Sequence, residues 1–87
     1  MATRQSVENC LQQCEEVLRI ASDEYTQGAK QEHYNNESYL EAQGLLQTAA
    51  NEIETLVASG NLQQREQLKL MRNQIQQMQH NMIVLNR

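Results

Sequence analysis

The sequence predicts an all-α fold, an up-down-up antiparallel bundle of three helices with coiled-coil-like seams. Three observations carry that expectation. Apolar residues recur at steps of three and four in three separate segments, which aligns them along one side of a helix. The 87 residues include no proline and only three glycines, so little interrupts a helical backbone. Turn signals gather at Asn35-Asn36 and at Ser59-Gly60-Asn61, and connections that short make successive helices antiparallel neighbours.

The first helix is expected over about residues 4–32. Its apolar stripe is broad: Val7, Cys10, Leu11, Cys14, Val17, Leu18, Ala21 and Tyr25. Thr3 or Ser6 can cap it, because a side-chain oxygen there satisfies an otherwise orphaned N–H. Gly28 weakens the span by about 1 kcal/mol relative to Ala, but no turn signal follows it directly, so the helix is expected to run through. The second helix is expected over about residues 36–58. Asn35 or Asn36 caps it, and Glu37 lies where the positive end of the dipole favours an acid. Its seam reads Tyr39, Ala42, Leu46, Ala49, Ile53, Leu56. Gly60 is expected to end this helix and Asn61 to cap the next, with Gln64 three residues on, as in a capping box. The third helix is expected over about residues 62–85, with the seam Leu68, Met71, Ile75, Met78, Met82, Leu85. Residues 1–87 are thus read as one helical domain.

Composition narrows the function classes. The only aromatic residues are three tyrosines, so the core must rely on Leu, Ile, Val, Met and Ala. A thin core in a short chain raises the expectation of self-association. Fourteen Gln and eight Asn form a polar, largely uncharged helical skin. The net charge of −4 disfavours nucleic acid and anionic membrane as first partners. No apolar run approaches the length of a bilayer span, and no apolar stretch follows the first residues as in a secretory signal. Two cysteines do not make a disulfide framework and fit a reducing compartment, so the cytoplasm is the expected location.

Charge divides along the chain. Residues 1–34 carry −3, residues 35–60 carry −4 through Glu37, Glu41, Glu52 and Glu54, and residues 61–87 carry +3. A basic third helix beside two acidic ones favours docking within the chain and helps select topology.

Three side-chain groups are candidates for chemistry. Cys10 and Cys14, at i and i+4, share one helical face, which suits a thiol-based redox or metal-responsive switch. Both also lie in the apolar stripe, where cysteine behaves as a small hydrophobe, and core packing is the expectation. His33, Tyr34 and Tyr39, with Glu37, surround the first turn and make it the candidate recognition turn; an acid–base role is conceivable there, but a capped bundle end is the simpler reading. Arg65, Lys69 and Arg72 form a basic ridge usable by a phosphate backbone. No interleaved aromatics accompany it, so pairing with the acidic helices is expected. Leu70, Ile83 and Val84 lie off the third seam and widen its apolar surface, a feature of association patches.

Several strings also carry a family resemblance: Met-Ala-Thr-Arg-Gln-Ser-Val at 1–7, Leu-Gln-Gln-Cys at 11–14, Lys-Gln-Glu-His-Tyr-Asn at 30–35, Gln-Gln-Arg-Glu-Gln-Leu at 63–68, and Asn81-Met82-Ile83. Together the chain resembles the YtzC-like family of small uncharacterised Bacillus proteins over nearly its whole length. The resemblance implies a cytoplasmic bacterial protein and a complete chain, and it brings no catalytic or binding residues with it.

The expected function is a non-enzymatic helical protein–protein interaction module that self-associates, a homodimer being the simplest assembly, with Leu68, Met71, Ile75, Met78, Met82 and Leu85 as the candidate interaction seam. No catalytic residue, metal or cofactor is expected, no membrane partner, and nucleic acid only as an accessory role of the basic ridge. The thiol switch at Cys10 and Cys14 is the main alternative.

Overall fold

A run of good helix formers still leaves the first N–H groups of each helix without partners, and the ends of the helices show how these are met. A computed structural model describes residues 2–31 and 37–85. They form α1 (Arg4–Gln31), α2 (Glu37–Ser59) and α3 (Leu62–Leu85), and no strand occurs among the described residues. At the start of α1 the Ser6 N–H donates to Thr3 Oγ1 and the Thr3 N–H donates to Ser6 Oγ, both at 3.0 Å. Thr3 is therefore the cap, and Ser6 plays the reciprocal part that Glu or Gln takes in a capping box. At α3 the Gln64 N–H donates to Asn61 Oδ1 and the Asn61 N–H to Gln64 Oε1, each at 2.9 Å, as the sequence predicts. The expected end of the first helix at Glu32, and the caps Asn35 and Asn36, lie outside the described residues.

Gly60 separates α2 from α3 for a reason other than the expected one. Its backbone is not left-handed; instead a Cβ there would sit 3.2 Å from the Leu56 carbonyl oxygen and 3.3 Å from Gln64 Cβ. Glycine is suited to the site by its missing side chain, which lets the capping box close over the end of α2. The Ala2 N–H donates to the Ser59 carbonyl at 3.3 Å, joining the start of the chain to the last turn of α2.

The three helices pack pairwise into a bundle. Its long axis is 43 Å, with cross dimensions of 18 and 14 Å. The 28 residues of α1 rise about 42 Å, so the bundle is one helix long. The predicted seams meet at its centre. Val7, Cys10, Cys14 and Ala21 of α1 are buried with Tyr39, Ala42, Leu46, Ala49 and Ile53 of α2 and with Leu68, Met71, Ile75 and Met82 of α3. Leu11, Val17, Leu18, Tyr25, Leu56, Met78 and Leu85 flank this core half-buried.

On α1 the residues at strict seven-residue spacing, Val7, Cys14, Ala21 and Gly28, are all buried. Their side chains shrink toward the end of the helix. Small side chains on one helix leave room for large ones on its neighbours, and the fully buried Tyr39 and Met82 lie toward the same end as Ala21 and Gly28. The Tyr39 hydroxyl donates to the Met82 carbonyl at 2.7 Å. That carbonyl is in the last turn of α3, where intrahelical donors run out. The α2–α3 ladder continues through Gln79 Nε2 donating to Gln47 Oε1 at 3.1 Å and Arg72 donating to Glu54 at 2.6 Å.

Candidate functional site

The burial that builds this fold also decides what each candidate residue can do. Cys10 and Cys14 lie one turn apart on the inner face of α1, with fractional exposures of 0% and 1%, and both are free thiols. Burial, the neighbouring Cys14 and the charge of Glu52 push the Cys10 thiol up to about 12. Burial also raises Cys14. A thiol reacts as its thiolate and needs access to reagent, so this pair is protected on both counts at neutral pH. Among the described residues no group of three His, Cys, Asp or Glu side chains is placed to hold a metal ion.

The α3 seam faces inward. Leu68, Ile75 and Met82 are fully buried, Met71 is nearly so, and Met78 and Leu85 flank the core. All six are engaged with the chain's own helices. The apolar residues that face water are different ones: Leu40 and Leu45 on α2, and Leu62, Leu70, Ile83 and Val84 on α3. The sequence pattern marks Leu70, Ile83 and Val84 as off-seam. Leu40, Leu45 and Leu62 escaped it, although each falls outside the three-and-four stepping of its helix and was findable by that rule.

Of the candidate recognition turn, His33 and Tyr34 lie outside the described residues. Tyr39 is a core residue, and its hydroxyl is engaged with α3. The basic ridge divides. Arg72 turns toward α2 and pairs with Glu54, as the charge segregation predicts. Arg65 and Lys69 are exposed and enter no ion pair among the described residues.

Between α1 and α2 lies an open cleft of about 270 Å³. Its floor and walls are Cys14, Val17, Leu45 and Ala49, and its rim carries Glu16 and Glu52. The Arg19 guanidinium donates to Glu16 and holds that carboxyl below its ordinary range. A second, more polar groove of about 460 Å³ runs between the starts of α1 and α3, beside Arg4, Glu8, Asn61 and Gln67.

Residues 1–84 match the family described as Protein of unknown function (DUF2524), and the chain belongs to that family. It is 49% identical over 84 residues to a protein of Bacillus subtilis (strain 168) named Uncharacterized protein YtzC, covering 97% of this chain and 93% of that one. No solved structure matches the chain. The family relationship spans all three helices and attaches no activity to any residue described above.

Proposed function

We propose that this chain is a non-enzymatic helical module that acts by binding protein, and that one of the proteins it binds is a second copy of itself. The supporting observation is the set of large aliphatic side chains left in water, Leu40, Leu45, Leu62, Leu70, Ile83 and Val84, on a bundle whose seam residues are already engaged within the chain. A domain of this size buries a modest share of its surface, and association adds stability by mass action. The predicted α3 seam then acts indirectly: it holds the helix in place, while outward residues make the contact. The cytoplasm suits a chain with two free thiols, and no described helix is long and apolar enough to cross a membrane.

The test is solution mass by light scattering across a dilution series. The proposal expects a mass above the 10.1 kDa of one chain that falls toward it on dilution. A constant single-chain mass up to high concentration refutes self-association. Arg65 and Lys69, exposed and in no ion pair among the described residues, support a second reading, an accessory to nucleic acid. It expects binding to a DNA duplex that weakens steeply with salt.

A further inference from the structure

We propose that a second copy docks head to tail, the outward ridge Leu62, Arg65 and Lys69 of α3 seating in the α1–α2 cleft of its neighbour. This rests on the self-association reading and names the surfaces for it.

Leu62, Arg65 and Lys69 stand at i, i+3 and i+7, one stripe of the helix surface. Leu62 is 73% exposed, more than any other large hydrophobic residue described. The two cations beside it enter no ion pair among the described residues, while Arg72, the third basic residue of the ridge, has Glu54. The cleft has the complementary character. Val17, Leu45 and Ala49 give it apolar walls, and its rim carries Glu52 together with Glu16, which Arg19 already engages. Glu52 enters no ion pair among the described residues. The cleft, about 270 Å³ and open to solvent, has room for a protruding aliphatic side chain. The charge division along the chain, −7 over residues 1–60 and +3 over residues 61–87, makes this orientation favourable and the like-faced one repulsive.

The ridge and the cleft are different surfaces on different sides of the bundle. Contact between them is heterologous, so it propagates beyond two chains unless the rotation closes a ring. Exposed ion pairs at its rim make it weaken as salt rises.

The experiment compares solution mass against concentration at about 20 mM and about 500 mM salt for the full chain, for R65E/K69E and for E16K/E52K, with helicity checked by circular dichroism. The expected result is mass growth for the unaltered chain, at least twofold and larger at low salt, and loss of that growth in each charge-reversed variant alone. An equimolar mixture of the two variants is expected to regain it, since each ridge then meets a cleft of opposite sign. Growth that persists unchanged in both variants and in high salt overturns this docking mode and leaves self-association standing. A single-chain mass for every sample at every concentration overturns both. A complex with a DNA duplex at low salt that R65E/K69E abolishes, without any mass growth of the chain alone, assigns the ridge to phosphate and also overturns the proposal.

Discussion

Replacing glycine by alanine should raise stability at one position of this chain and fail to raise it at another, and the local geometry sets the difference. Gly44 lies inside α2 (Glu37–Ser59), with helical backbone and open space where a Cβ would be. Alanine there is favoured by about 0.8–1.0 kcal/mol through helix propensity, mainly because the unfolded chain loses freedom. No packing gain adds to it, because nothing lies within 4 Å of the new carbon. With an unfolding entropy of about 2.1 cal/mol/K per residue, 87 residues give about 180 cal/mol/K, so about 1 kcal/mol raises Tm by about 5 °C. Gly60→Ala receives a similar benefit in the unfolded state but no helix-interior benefit. Its Cβ meets the backbone oxygen of Leu56 at 3.2 Å, and forcing backbone aside costs about 1 kcal/mol or more. Gly60→Ala should therefore leave Tm unchanged or lower it. Thermal melts followed by circular dichroism at low protein concentration measure both. A Gly44→Ala variant that melts lower than the parent would refute the open helix face, and a Gly60→Ala variant that gains as much as Gly44→Ala would refute the tight α2–α3 junction.

Tyr39→Phe removes the buried hydroxyl that donates to the Met82 carbonyl at 2.7 Å; a loss of about 1–3 kcal/mol in urea unfolding is expected, and an unchanged midpoint would contradict that bond. Asn61→Ala breaks the capping box at α3 and should cost about 1 kcal/mol, with faster amide exchange confined to the first turn of that helix; uniform acceleration would speak against a local cap. For the thiols the sign runs with alkali. Cys10 is held protonated in the fold up to about 12 while the unfolded thiol ionises near its ordinary value, so above that value the unfolded state binds fewer protons and stability falls. The loss is absent below about pH 8.5 and approaches about 1.4 kcal/mol per pH unit between there and the folded value. Cys10→Ala should remove that part of the alkaline dependence, and an unaltered pH profile would show that the thiol is not shielded. At neutral pH, native protein should react with a thiol reagent far more slowly than unfolded protein.

Much of this architecture was legible because helices are local objects. Steps of three and four place Val7, Cys10, Cys14 and Ala21, the α2 seam from Tyr39 to Ile53, and Leu68, Met71, Ile75 and Met82 on inward faces, and all are buried. The second turn was legible from Gly60, Asn61 and Gln64, since capping residues act within a few positions of themselves. The use of these faces was less legible. A heptad seam reads the same whether it closes on its own chain or on another, so the α3 seam could be named as an interface from sequence yet lies against α1 and α2.

Residue spacing alone determined three amphipathic helices, their order, their inward faces and the junction between the second and third, because backbone propensity, capping and periodicity act over a few residues. Tertiary packing decided the rest. It set Tyr39 against the far end of α3, turned Arg72 to Glu54 while leaving Arg65 and Lys69 outward, shielded Cys10 and Cys14, and opened an acid-rimmed cleft between α1 and α2. Those outcomes depend on which helices lie side by side and at what register, a property of groups 18 to 43 residues apart in the chain that no local pattern encodes.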